Sequence, residues 1–170
     1  MALREIIKRG DPVLEKKAHT VTQFDKKLHS LLDDMHETLE EAGGAGLAAP
    51  QVGILRAVVL VADDDDSIIE LVNPSIIAAE GEQDGLEGCL SVPGYWGFVT
   101  RPAKVRVRAQ DRNGKWFEVE GEGIMARCFC HELDHLDGQL YTELADRLYT
   151  PEEIDEMIDR QKKEREGSGQ

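Results

Sequence analysis

Residues 131–135 read His-Glu-Leu-Asp-His, inside a run from Ile124 to Asp137 that predicts a helix closed by Gly138. No other stretch constrains the fold so much. On a helix, two histidines four apart lie about 40° apart around the axis and about 6 Å along it, so both imidazoles reach one cation. Glu132 then stands beside that cation, where a carboxylate takes a proton from water and hands it to a leaving amine. The competing reading is a surface helix with solvated His and Glu side chains, since the pattern also arises by chance.

A catalytic metal site needs a third protein ligand and an open position, and the three cysteines are the candidates. Cys128 shares the face of His131 but lies about 10.5 Å along the axis from His135. Metal bonds of about 2.0–2.3 Å cannot gather residues 128, 131 and 135 of one intact helix. Cys130 points about 100° away from His131. Both read as core or pocket-wall thiols. Cys89, in the segment EGCLSVPG read as a loop, is the third ligand, with Gly88 allowing close backbone approach.

Charge narrows the partners. The chain has 20 basic and 34 acidic residues, a net charge of −14 that disfavours nucleic acid and anionic lipid. Its 170 residues, 41% hydrophobic and 32% charged, fit one soluble catalytic domain over residues 1–170. The start lacks the features of a secretory or transit peptide and no run is of membrane-spanning length, so a cytoplasmic protein is expected. An odd cysteine count, with Cys128 and Cys130 in one helix, argues against a disulfide framework.

Periodicity places the remaining elements. Leu28, Leu31, Leu32, Met35 and Leu39 mark an amphipathic helix over 25–41, ended by Gly43-Gly44. Residues 56–62 and 67–77 read as strands, the second ended or bent at Asn73-Pro74, and residues 104–123 as a hairpin turning at Asn113-Gly114. Thr150-Pro151-Glu152-Glu153 reads as a capping box opening a charged helix over about 150–165, with residues 166–170 frayed. The fold class is α+β: antiparallel or mixed sheets around a central metal-binding helix, with a helix near each end.

The segment GGAGLAAPQVG, Gly43 to Gly53, lacks a P-loop ending. It is either a tight turn where a helix packs on a strand, or a substrate cradle. In the second reading Gly44 and Gly46 admit a peptide backbone and Gln51 donates to an oxyanion.

Taken in order, GAGLAAPQ (44–51), EGCLS (87–91) and HELDH (131–135) resemble the three signature segments of the peptide deformylases, and the likeness extends over residues 3–148. The resemblance implies one divalent ion on Cys89, His131 and His135, usually Fe²⁺, with Zn²⁺, Ni²⁺ or Co²⁺ able to occupy the same site. It implies removal of the N-formyl group from N-formylmethionyl nascent peptides, with Glu132 as base. Gln51 and the Leu90 N–H would hold the oxyanion, and Gly46 would bond the substrate backbone. Cys128 and Arg127 would fall on the wall of a methionine pocket, Arg127 giving its methylene stem and sending its charge to water. Glu87 would pair with Arg101, and Asp134 would fix a histidine tautomer or anchor the helix. Two departures stand out. Cys130 replaces the glutamine common before the first metal histidine. Residues 151–170 carry four basic and seven acidic side chains, unlike the basic tail suited to a transient ribosome contact, so that contact is not expected.

Two other readings fit the helix motif. Another metal peptidase or amidase would cleave peptides with free or acetylated N-termini, and a structural metal domain would need a fourth protein ligand. Several residues read blandly: His29 and His36 as solvated helix flanks, Asp63 to Asp66 as a hairpin tip, and Trp96 and Trp116 as half-buried packing or a substrate rim.

Overall fold

The computed structural model describes residues 2–168. After a short 3₁₀ turn at Pro12–Glu15, helix α1 spans Lys26–Ala42. The Asp25 carboxylate caps it by accepting from the Leu28 N–H at 3.1 Å, and Gly43 ends it in the left-handed conformation. Strand β1 (Gly46–Ala48) follows, then a 3₁₀ turn at Ala49–Val52, β2 (Val58–Ala62) and β3 (Ile68–Glu80). Next come β4 (Gln83–Cys89), β5 (Val92–Arg101), β6 (Lys104–Gln110) and β7 (Trp116–Glu122). Helix α2 spans Ile124–Leu136, β8 is Leu148–Tyr149 and α3 spans Pro151–Ser168.

Two antiparallel sheets result, one of five strands ordered β1-β2-β3-β6-β7 and one of three ordered β4-β5-β8. The α+β expectation holds. Alternation along each strand sorts the core of the larger sheet into two layers. Leu47, Val58, Leu60 and Val72 face the Leu28, Leu31, Leu32, Met35 and Leu39 stripe of α1. Their neighbours Ala48, Val59, Val61 and Leu71 join Val105 and Val107 in facing Met125, Ala126 and Phe129 of α2. Helix α2 is thus sandwiched inside the molecule, with the three-stranded sheet packing over the segment that follows it through Val92, Val99, Leu140 and Tyr141.

Three boundaries differ from expectation. Strand β3 runs three residues past its expected end, to Glu80, and of the two alternatives at Asn73-Pro74 it takes the bend, with a register shift between Val72 and Ser75 and a φ of 51° at Asn73. The Cys89 segment is not a loop, because Cys89 closes β4 and pairs with Val92. Helix α3 continues three residues past 165; of the expected frayed tail, Glu166 to Ser168 are helical and residues 169–170 lie outside the described residues. Its capping box forms as read, with Thr150 and Glu153 exchanging hydrogen bonds at 3.3 Å.

Candidate metal centre and active site

Cys89, at the end of β4, meets His131 and His135 of α2, with one ligand atom from each lying within 4.8 Å of the others. Cys89 Sγ is 3.4 Å from His135 Nε2. His131 Nδ1 is bonded to Glu87 Oε1 at 2.9 Å, which leaves Nε2 as the ring atom available to a metal. All three candidate ligands converge, and neither Cys128 nor Cys130 joins them. Cys130 is a buried core thiol, and Cys128 lies against the Ala45 carbonyl at 3.5 Å. All three cysteines are free.

A cation fits this cluster on its chemistry. A thiol and two imidazoles are the donors that borderline divalent metals take, and Glu132 Oε1 is buried beside them with no hydrogen-bond partner. Burial pushes His135 down to about 3, keeping it neutral. Burial also opposes charge on His131, but its bonds to Cys89 and Glu87 prevail and raise it to about 10. Ligation through His131 Nε2 would require that proton to leave. Desolvation pushes Glu132 up to about 7, where a carboxyl both accepts and returns a proton near neutrality.

Beside the cluster lies a cavity of about 530 Å³ whose walls include Gly44, Leu86, Leu90, Ile124 and Cys128. Gln51 is buried at its edge. Its Oε1 accepts from the Ala48 N–H at 3.0 Å, and its Nε2 donates to Ser91 Oγ at 3.1 Å and faces Cys89 Sγ at 3.5 Å. The GGAGLAAPQVG segment is thus both a sheet edge and a cavity wall. Backbone bonds from Ile7 to the Gln51 carbonyl at 2.7 Å and from Arg9 to the Ser91 carbonyl at 2.8 Å tie this segment and the turn after Cys89 to the N-terminal stretch. The lack of a side chain at Gly46 leaves Glu132 its place, since a Cβ there would stand 2.5 Å from Glu132 Oε2 and 2.9 Å from Cys128 Sγ.

Several expected roles are corrected. Arg127 does line the cavity, but its guanidinium does not reach water: it bonds Glu87 and the Val99 carbonyl, both at 2.8 Å, and is 8% exposed. Glu87 pairs with Arg101 as expected through two hydrogen bonds of 2.7 and 2.8 Å. Asp134 bonds Arg101 at 2.6 Å, and the tautomer of His131 is set by Glu87 instead. Burial would raise Glu87, but the Arg101 and His131 bonds hold it at about 2, a permanent anion behind the histidine. His29 and His36 are not simply solvated, being bonded to the Arg112 carbonyl at 2.8 Å and to Glu70 at 2.7 Å. Trp96 lines the cavity, and Trp116 packs under Arg108 at 4.1 Å.

Sequence reasoning missed two residues. Ser91 holds the Gln51 amide, although it closes the quoted segment EGCLS. Tyr141 stacks on His131 with ring centroids 5.8 Å apart, and no local pattern marks it.

Known proteins give an independent comparison. The polypeptide deformylase family profile matches residues 3–150. The chain is 51% identical over 160 residues to the peptide deformylase of Caldicellulosiruptor bescii, covering 94% of this chain and 96% of that one. It is 51% identical over 158 residues to peptide deformylase 1 of Bacillus subtilis, covering 92% and 99%. The Met-Ala-Ser-bound crystal structure of class I type b peptide deformylase from Acinetobacter baumannii superposes with a TM-score of 0.79 at 35% identity, covering 84% and 98%.

Proposed function

The chain belongs to the polypeptide deformylase family, hydrolases that release formate from the formylated N-terminal methionine of new polypeptides, and we propose that Cys89, His131, His135 and Glu132 carry that reaction here. The observation that supports this most directly is a thiol and two imidazoles within 4.8 Å of one another beside a buried, unpartnered carboxylate oxygen. A divalent ion held by Cys89, His131 and His135 supplies Lewis acidity that acidifies water and polarises a carbonyl. We assign Fe²⁺ as the resident ion; a thiolate and two imidazoles accept Zn²⁺, Ni²⁺ and Co²⁺ as well.

The protein's own groups move the proton and hold the charge. Glu132 takes a proton from the attacking water and delivers it to the departing amine, so that formyl amide and water become formate and a free N-terminus. Gln51 Nε2 and the Leu90 N–H donate to the carbonyl oxygen as it gains negative charge. Gly46 and Gly44 leave room for the peptide backbone. Leu86, Leu90, Ile124 and Cys128 offer the methionine side chain an apolar wall, and the Met-Ala-Ser peptide named for the Acinetobacter relative is a matching ligand.

Nascent formylated chains are the partners, and the assigned location is the cytoplasm where they are made. Among the described residues no helix is long and apolar enough to cross a membrane. The seven acidic against four basic side chains of residues 151–170 disfavour docking of α3 on ribosomal RNA.

The test is formate release from formyl-Met-Ala-Ser by protein purified anaerobically with Fe²⁺, alongside Glu132→Ala and an acetylated control peptide. Release by the parent alone, with metal retained in the variant, supports the assignment. No release from a parent carrying one metal per chain overturns it.

A further inference from the structure

Glu87 is buried two residues before Cys89 and meets two guanidinium groups from different elements. Arg101, from β5, grips both carboxylate oxygens and also holds Asp134. Arg127, from α2, donates Nη1 to Glu87 Oε2 and to the Val99 carbonyl, each at 2.8 Å, and Nη2 to the Gln83 carbonyl at 3.3 Å. These acceptors lie on both strands of the β4–β5 hairpin, so one side chain ties the helix carrying two histidines to the hairpin carrying the thiol. The sequence makes room for it. A Cβ at Gly85 would stand 2.9 Å from Arg127 Nη2 and 3.1 Å from its Cζ. Arg127 shares the buried Glu87 carboxylate with Arg101 and His131, so removing it takes one of three partners from the group that backs a metal-site histidine.

We propose that Arg127 is a positioning residue for the metal centre, setting the reach between the Cys89 hairpin and the His131–His135 helix and thereby how tightly the ion is held and how slowly it leaves. This rests on the reading of Cys89, His131 and His135 as the ligands. A guanidinium suits the task because its planar fork bonds a carboxylate and two carbonyls at once, which the single ammonium of lysine does not reproduce.

The experiment titrates Co²⁺ into chelator-stripped, full-length protein, following the thiolate-to-cobalt charge-transfer absorption, and then times metal loss to excess EDTA. The variants are Arg127→Ile, Arg127→Lys, Gly85→Ala and, as a remote core control, Val72→Ala. Arg127→Ile is expected to weaken Co²⁺ binding about 10- to 100-fold and to speed its loss, the range for groups that orient metal ligands, with the thiolate band intact at saturation. Arg127→Lys recovers part of that loss. Gly85→Ala keeps every charge, pushes on the guanidinium and shifts both readings the same way, and it carries the test together with Arg127→Lys should Arg127→Ile not fold. Val72→Ala lowers the Tm and leaves affinity unchanged. Parent-like affinity and release in Arg127→Ile and Gly85→Ala, or an equal loss in Val72→Ala, overturns the proposal. Absence of the thiolate band in the parent overturns the ligand assignment itself, and the role of Arg127 with it.

Discussion

At the scale of the residue, burial and close approach decide what each group does. Glu132 is an ordinary glutamate whose carboxyl is raised to about 7 because desolvation penalises its charged form. The reaction needs the carboxylate, so the rate falls as pH drops through that pKa, and a nearby cation draws the value down. The acid limb of kcat/KM is expected at or below about pH 7, and a limb well above that would rule out Glu132 as the group observed. Gly46 gives a second prediction. Gly46→Ala puts a methyl where Glu132 Oε2 now lies, and the carboxylate, being the flexible partner, gives way. Metal content should be unchanged while kcat falls by about 10²-fold, the cost of misplacing a reacting group by roughly 1 Å. An unaltered kcat in a fully loaded variant counts against this steric role. The spacing of His131, Glu132 and His135 was readable in the sequence because helical geometry alone fixes it. The work of Arg127, Ser91 and Tyr141 was not: the partners of Arg127 and Ser91 lie 28 to 40 positions away in the chain, and Tyr141 meets His131 only because the segment after α2 folds back on it.

At the scale of the element, legibility followed the strength of the local pattern. Helix α1 showed its stripe because one face is buried and the other is wet. Strand β2 read as an unbroken apolar run because helices cover both faces of the sheet it lies in. The β4–β5 hairpin escaped notice. Gln83–Cys89 contains two glycines and two acids, weak strand formers, and it is held extended by pairing with β5. If α1 is tied down mainly by its leucines, Leu32→Ala, at a position with no exposure, should cost about 2–5 kcal/mol in urea unfolding. Metal affinity of the folded fraction should not move, because Leu32 lies in the core layer under α1, apart from the layer that packs on α2. A loss below about 0.5 kcal/mol would mean that the helix is held by something other than its core stripe.

At the scale of the molecule, the proposed metal centre is a joint between two parts of the fold. Cys89 belongs to the three-stranded sheet, His131 and His135 to the helix under the five-stranded sheet, and an ion on all three binds only when both parts are assembled. Stripping it with a chelator should therefore lower the Tm, and restoring it at about 1,000 times its Kd should add about 4 kcal/mol, with the Tm tracking free metal. A Tm indifferent to metal would show that the folded protein does not hold the ion in preference to the unfolded chain. The sequence by itself determined the helix, its histidines and the glutamate between them, and the choice of Cys89 over Cys128 and Cys130. Those follow from distances measured along one helix, which are the same wherever that helix is placed. Only the tertiary structure decided that Glu87 rather than Asp134 backs His131, that Arg127 turns inward, and that Gly46 lies directly against Glu132. Each depends on how far one element stands from another, and that distance is set by the packing of two sheets around α2, which no local pattern encodes.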